Sequence, residues 1–336
     1  MHTVYAVVCY DRVMPTATLR RQLQLLTGRA HQSIAQTIAK ELSIELCPVE
    51  LSNFANGEIH ARIGQSVRGD DVFIVQSHCG NVNDAVMELA IMIDAAKRAS
   101  AASITAVCPF FAYARQDRKA NGREPISARL MVDILVNAGA NRIMSMDLHT
   151  GQIQGFMDGP FDHLIARPLF IEYLKTHFSK HNLVIVSPDA GRVKSAERYA
   201  NALGCDMAIV HKHRSTAKHH QVEARHIIGD VRGKVCIIAD DMIDTAGTLC
   251  AAADLIASHG AAEVYGLATH GLFSGPARER IEQSAFRQII TTDTLPQDDT
   301  FNKLAVLSVA STFAAAIKAV YAGDSLSALF DGDNQF

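Results

Sequence analysis

Short apolar runs recur along the chain, each closed by a polar or acidic turn and followed by a longer stretch with helical spacing. The runs cover 72–76, 104–110, 142–147, 183–186, 235–239 and 264–268. Between them, Val86, Leu89, Ala90 and Ile93 share one helical face, Ala128, Val132, Leu135 and Val136 a second, and Ala251, Leu255 and Ile256 a third. Continuous apolar strands alternating with amphipathic helices predict parallel sheets covered on both faces. Ligands of such sheets gather beyond the carboxyl ends of the strands, so the polar residues just after each run are where chemistry is expected.

The length of 336 residues fits about two domains. Apolar residues make up 48% of the chain and charged residues 20%, an ordinary globular balance. The net charge is only −3, which gives no chain-wide field for nucleic acid or a membrane surface. No apolar stretch reaches the roughly 18–20 residues that span a bilayer. The seven cysteines form no C-x-x-C pair, and several sit inside apolar runs, as Cys236 does, where cysteine serves as a small core side chain. No Lys or Arg precedes the apolar stretch 4–10 and Asp11-Arg12 follows at once, so it makes a poor signal peptide. A reduced, cytoplasmic setting is expected.

Charge is uneven locally. Segment 111–129 carries five basic and two acidic residues, segment 192–225 seven basic and three acidic, and 240–244 three carboxylates with no base. Two basic segments beside an acidic turn suit a polyanionic substrate carried with a divalent cation.

The most informative run is Val235-Cys-Ile-Ile-Ala-Asp-Asp-Met-Ile-Asp-Thr-Ala-Gly-Thr248. An apolar strand ends in adjacent carboxylates, and a small-residue loop opens a helix at about Leu249. Thr245, Ala246, Gly247 and Thr248 offer backbone N–H groups and hydroxyls at a helix N-terminus, a ready phosphate site. Asp240, Asp241 and Asp244 can accept hydrogen bonds from sugar hydroxyls or hold a metal. A plain N-capped helix after a strand explains Thr245 but not three carboxylates in five positions.

This run resembles the signature of proteins that bind phosphoribosyl pyrophosphate. Segments 54–58, 67–72, 113–119, 146–155, 186–191 and 269–276, in their order and spacing, resemble the ribose-phosphate pyrophosphokinase family over about Leu25 to Phe330. The resemblance implies two phosphoribosyltransferase-like α/β domains, each a mainly parallel sheet flanked by helices. It places an N-terminal extension at 1–22, one domain at 23–167, a second at 168–318 carrying the ribose 5-phosphate loop, and a final segment 319–336 returning to the first. It implies transfer of the β,γ-diphosphoryl group of Mg-ATP to the C1 hydroxyl of ribose 5-phosphate, giving phosphoribosyl pyrophosphate and AMP. Catalysis of that kind is mainly positioning and charge stabilisation.

By the same resemblance Lys212 and Arg214 stabilise the transition state from a mobile loop, Arg214 also facing ribose 5-phosphate. Phe54, Asn56, Gly57 and Glu58 recognise adenine from a neighbouring subunit, with Arg115 and Gln116 on ATP. His149, Asp189 and Asp147 surround magnesium (Mg2+), and Asp240, Asp241, Asp244 and Thr245 to Thr248 hold the sugar phosphate. Ser66, Arg68, Ser325, Ser327 and Phe330 match a regulatory phosphate and ADP site, and the family usually assembles as hexamers. His211, His213, His219 and His220 read as part of a basic loop rather than a metal site. One departure stands out: where the family commonly has Gly-Gly, this chain has Gly191-Arg192, an arginine that either contacts phosphate or points to solvent. A non-catalytic regulatory relative and a phosphoribosyltransferase are the alternatives. The first should have lost catalytic positions, and the second does not need 54–58 or Arg115-Gln116.

Overall fold

The computed structural model describes residues 21–178, 182–213, 224–298 and 300–330, and the side chains at 212, 213, 224, 225 and 330 lie outside that description. Five parallel strands form the first sheet, in the order β1 (Leu23–Thr27), β4 (Asp71–Val75), β5 (Ser103–Cys108), β6 (Arg142–Met146) and β7 (Phe161–Leu164). An antiparallel hairpin, β2 (Val49–Asn53) and β3 (Ile59–Ile63), is inserted before β4. The second sheet has seven strands: β10 (Ala224–Ile228), β9 (Asp206–His213), β8 (Leu183–Ser187), β11 (Val235–Ile243), β12 (Glu263–Gly271), β13 (Phe286–Thr292) and β14 (Leu304–Leu307). Only its β9–β10 pair is antiparallel. The architecture is therefore the expected one of mainly parallel sheets flanked by helices.

Both faces of each sheet are dry, which is why the strands read as unbroken apolar runs. On the first sheet Leu26, Val72, Ile74, Ala106 and Ile143 pack under α2 (Val82–Arg98) and α3 (Ser127–Ala138). Leu25, Phe73, Val75, Val107 and Met144 face the other way, into a cluster with α1 (Gln32–Leu42), α4 (Arg167–Phe178) and α8 (Ala310–Ala322). That cluster continues through α5 (Val193–Leu203) to Ile185, Ile237 and Leu267 of the second sheet. Burying one Leu, Ile or Phe contributes roughly 1.5–3 kcal/mol, so this shared core ties the sheets together strongly. The second sheet's outer face, with Val186, Ile238 and Ile289, packs under α6 (Gly247–Ser258) and α7 (Ala277–Gln283).

Two local expectations shift. The strand at 235–239 does not stop at the acidic pair. β12 continues beside it as far as Ile243↔Gly271, so Asp240, Met242 and Ile243 keep ladder partners. The helix after it starts at Gly247 rather than Leu249, and its buried face is Leu249, Cys250, Ala252, Ala253 and Ile256, with Ala251 exposed. A run of alanines carries too little contrast to fix a helical phase. Val136 likewise turns outward, 38% exposed.

The carboxyl ends of the two sheets meet. Thr269 Oγ1 donates to Asp147 Oδ2 at 2.5 Å, and His31 Nε2 to the Asp293 carbonyl at 2.8 Å. The His270 ring nitrogen Nε2 lies 3.1 Å from the Met146 carbonyl, and Ser77 donates to the Thr294 carbonyl. Among the described residues no helix is long and apolar enough to cross a membrane.

Candidate active site

The second sheet reverses its winding between β8 and β11: β9 and β10 add on one side, β12 to β14 on the other. Such a reversal opens a crevice at the carboxyl ends. Here the crevice is deepened because β11 pairs with β8 only up to Ile238↔Val186 and then runs on beyond it. Asp240 and Asp241 lie on that overhang. A cavity of about 340 Å³ sits there, lined among others by Asp147, His149, Arg167, Arg192, Arg198, Asp240 and Asp241.

Arg192 spans the crevice. Its Nε lies 3.1 Å from Asp240 Oδ1 and its Nη2 2.5 Å from Asp241 Oδ2. Neither expectation for this residue, phosphate contact or solvent, describes that placement, since the guanidinium is held by two carboxyl groups with its side chain 21% exposed. His149 Nδ1 lies 2.7 Å from Asp241 Oδ2 and 2.9 Å from Arg192 Nη2. Arg192 Nη2 and His149 Nδ1 thus converge on the same Asp241 oxygen, which an ionised carboxylate can offer only as an acceptor. Burial alone would raise Asp241, but the His149 hydrogen bond and the Arg192 charge outweigh it and hold that carboxyl well below the usual range. Asp240 moves the other way, pushed up by burial and by the neighbouring Asp241 charge.

The turn after β11 is short. Ala246 adopts a left-handed conformation, φ 58°, and caps α6, whose first backbone bond runs from Cys250 N to the Ala246 carbonyl at 2.9 Å. The first-turn N–H groups of a helix have no intrahelical acceptor and so face an incoming anion. Arg280 on α7 braces the turn by donating from Nη1 to the Thr245 carbonyl at 2.9 Å, and a Cβ on Gly247 would come within 3.3 Å of that nitrogen. Asp244 accepts from Arg115 Nη1 at 2.6 Å, which joins a residue expected on ATP to one expected on the sugar phosphate. Burial opposes ionisation of Asp244, and the Ser274 and Arg115 contacts overcome it, so its carboxyl is held low.

The other expected residues fall into place unevenly. Asp147, at φ 38°, accepts on Oδ2 from Thr269 Oγ1 and from Ala166 N at 3.1 Å, so it braces the seam as well as lining the cavity. Asp189 Oδ1 accepts from Gly191 N at 2.8 Å and Arg192 N at 3.1 Å, capping the turn that launches Arg192. Gln116 Oε1 accepts from Ser127 Oγ at 2.6 Å, at the start of α3. Phe54, Asn56, Gly57 and Glu58 form the tip of the β2–β3 hairpin, where Phe54 is 57% exposed and Gly57 has φ 94°. None of the four lines the cavity. Ser66 and Arg68 lie between β3 and β4, Arg68 donating to Ser100 Oγ at 3.0 Å, while exposed Ser325 precedes and exposed Ser327 lies within the short 3-10 helix after α8, Leu326–Phe330. The backbone of Lys212 belongs to β9 rather than to a loop. Its side chain, all of Arg214, His219 and His220, the side chains of His213 and Phe330, and residues 1–20 lie outside the described residues.

Sequence reasoning passed over three supports. Asp117, 7% exposed, accepts from Thr150 Oγ1 at 2.6 Å and Gln152 Nε2 at 2.5 Å, tying the loop after β5 to the loop after β6. His163 Nε2 accepts from Leu148 N at 2.9 Å, and His78 Nδ1 from Ala112 N at 3.1 Å. Only the neighbouring motifs Gln116-Asp117-Arg118 and Asp147-Leu148-His149 hinted that these loops need fixing.

Among the described residues no three His, Cys, Asp or Glu side chains converge on one point. Magnesium does not need such a cage: it is usually held by one or two carboxylates with substrate phosphates and waters. His149 lines the cavity and Asp189 stands two residues before Gly191, which lines it too, so one carboxylate and one imidazole fit that mode.

A parallel α/β fold with a helix-opening acidic turn and an arginine-lined cleft at the winding reversal defines an enzyme of phosphate or sugar-phosphate transfer. Two family models match: the N-terminal domain of ribose phosphate pyrophosphokinase over residues 23–139, and the phosphoribosyl synthetase-associated domain over 224–331. The chain is 48% identical over 316 residues to the ribose-phosphate pyrophosphokinase of Streptomyces coelicolor, covering 94% of this chain and 98% of that one. It is 50% identical over 315 residues to that of Corynebacterium efficiens, covering 93% and 97%. The crystal structure of phosphoribosylpyrophosphate synthetase from Mycobacterium smegmatis superposes with a TM-score of 0.86 at 48% identity, covering 90% of this chain and 100% of that one. The chain belongs to the ribose-phosphate pyrophosphokinase family.

Proposed function

We propose that this cleft transfers the β,γ-diphosphoryl group of Mg-ATP to the C1 hydroxyl of ribose 5-phosphate, releasing AMP. The observation that carries the reading is the joining of the two halves of the site: Arg115 from the loop after β5 meets Asp244 of the acidic turn after β11 at 2.6 Å. The N–H groups opening α6, with the hydroxyls of Thr245 and Thr248, receive the 5-phosphate. Asp240 and Asp241 accept the ring hydroxyls. Arg115 and Gln116 meet the nucleotide, and the exposed hairpin tip at Phe54 to Glu58 reaches the adenine held by a neighbouring copy, within a homo-oligomer that we infer to be a hexamer.

Magnesium supplies charge neutralisation on the nucleotide phosphates, with Asp189, His149 and, through its remaining oxygen, Asp147 arranged to hold it. Lys212 and Arg214 supply positive charge to the transferring group. Little covalent work falls to the protein, so no nucleophilic side chain is needed. The same reading places the division between the two domains near Arg167, a regulatory phosphate and ADP site at Ser66, Arg68, Ser325, Ser327 and Phe330, and the enzyme in the cytoplasm. Formation of AMP from ribose 5-phosphate and Mg-ATP by the assembled protein tests it; absence of turnover, or pyrophosphate release that depends on a nucleobase, overturns it.

A further inference from the structure

The guanidinium of Arg192 is the point at which three loops converge. It is rooted in the turn after β8, reaches the overhang of β11 at Asp240 and Asp241, and touches His149 from the loop after β6. It lies on the side of β11 that loses its neighbour when β8 ends at Ser187, so it takes the place of a strand partner there. Its attachment is firm at both ends, because Asp189 Oδ1 accepts from Arg192 N at 3.1 Å. Its contacts are also divided by atom. Arg192 Nε and Asp241 N both point at Asp240 Oδ1, while Nη2 and His149 Nδ1 both point at Asp241 Oδ2. The Arg192 and His149 contacts thus use one oxygen of each carboxyl group, and the two carboxyl groups also meet each other side chain to side chain, both lining the cavity.

We infer that Arg192 is a positioning residue for the pentose: its fork fixes the two carboxyl groups in one arrangement at the cleft, ready to meet vicinal sugar hydroxyls. This rests on the proposed sugar site and adds to it the residue that pre-forms it. A planar fork can set the spacing of two carboxyl groups at once, which the point charge of lysine cannot. Polar groups fixed before binding avoid the ordering cost of binding.

The test uses the full-length protein, with Arg192→Gly and Arg192→Lys. Ribose 5-phosphate binding is measured by calorimetry without metal or nucleotide, and KM for each substrate in the complete reaction. In Arg192→Gly the dissociation constant for ribose 5-phosphate should rise about tenfold to a hundredfold, the size of one or two charge-assisted hydrogen bonds. KM for ATP should stay within about threefold, the range of an indirect effect worth under 1 kcal/mol, and this also reports a folded enzyme. Arg192→Lys should lie between the parent and the glycine variant. Sugar phosphate bound as tightly or more tightly by the glycine variant would mean a latch that competes with substrate, and the inference falls. It falls equally if both KM values rise together, or if lysine is no better than glycine. A parent enzyme that turns over while Arg192→Gly keeps its sugar affinity overturns this inference alone; a parent that neither binds ribose 5-phosphate nor forms AMP overturns the functional reading with it.

Discussion

The two rims that face each other across the cleft are braced by different chemistry. On the first sheet, Asp117 ties the loops after β5 and β6 to each other through Thr150 and Gln152. Each loop also hangs on a buried neutral histidine: His78 takes the N–H of Ala112, and His163 that of Leu148. Burial drives both imidazoles down to about 4. On the second sheet, the turns after β8 and β11 are held by charge: Arg192 with Asp240 and Asp241, Arg280 on the Thr245 carbonyl, and Arg115 reaching over to Asp244. A neutral buried hydrogen bond is rigid and insensitive to salt, and it suits loops that only present side chains. Charged groups can exchange their protein partners for a polyanion, and these stand where the proposed function places the sugar and phosphates.

The charged rim is where substitution should cost turnover most. Lys212→Ala should lower kcat about 10²–10³-fold with little change in KM for ATP, the usual cost of losing one group that meets charge developing in the transition state. Steady-state kinetics decide it, and an intact kcat with weakened ATP binding would move Lys212 from the reaction to ground-state binding. Next in size, Asp244→Ala should raise KM for ribose 5-phosphate by about tenfold to a hundredfold. Because Asp244 also holds Arg115, ATP should weaken by a smaller factor, about two- to fivefold for a part-exposed pair worth up to about 1 kcal/mol. Equal effects on both substrates would contradict the division of the cleft.

The neutral rim should reveal itself in acid. An ordinary histidine titrates near 6.5, whereas His78 is held to about 4 by burial. The unfolded chain therefore binds the proton first, so this contribution to stability is full above about pH 6.5 and is lost as pH falls toward 4. Two and a half pH units correspond to about 3 kcal/mol. Denaturant unfolding of His78→Gln between pH 7 and 4.5 should show a flatter acid limb than the parent. An unchanged slope would mean that His78 does not carry the acid sensitivity of this rim.

How much of this the sequence announced differs between the rims in the same way. The apolar runs placed the strands to within a few residues, because a strand dry on both faces has no polar position to blur the pattern. The acidic turn proposed for the sugar phosphate was legible because Asp240, Asp241, Asp244 and Gly247 fall within eight positions. Arg192 was not: its partners lie 48 and 49 positions away and 43 positions back at His149, and only the crossover that sets β11 beside β8 brings them together. His78 and His163 were equally hidden, since a histidine that accepts one backbone N–H leaves no local pattern. The overhang of β11 depends on where β8 ends, a property of two strands that neither run encodes alone.

The smallest expected effect concerns the turn itself. Ala246 sits at φ 58° and is buried, and an L-residue in that region costs roughly 1–2 kcal/mol relative to glycine. Ala246→Gly removes this cost, but it frees the unfolded chain by about 0.4–1 kcal/mol and gives up a buried methyl group worth about 0.8 kcal/mol. The terms nearly cancel, so the variant should unfold within about 0.5 kcal/mol of the parent, a change of only a few degrees in Tm at most. Its KM for ribose 5-phosphate should nevertheless rise a few-fold, because glycine no longer holds the α6 N–H groups in one orientation before the phosphate arrives. A gain in stability above about 1.5 kcal/mol, beyond what relief of the backbone alone leaves after these offsets, would show that the charged rim carries uncompensated strain at this turn. The contrast between the rims would then lie in stored backbone energy as well as in the charge of their braces.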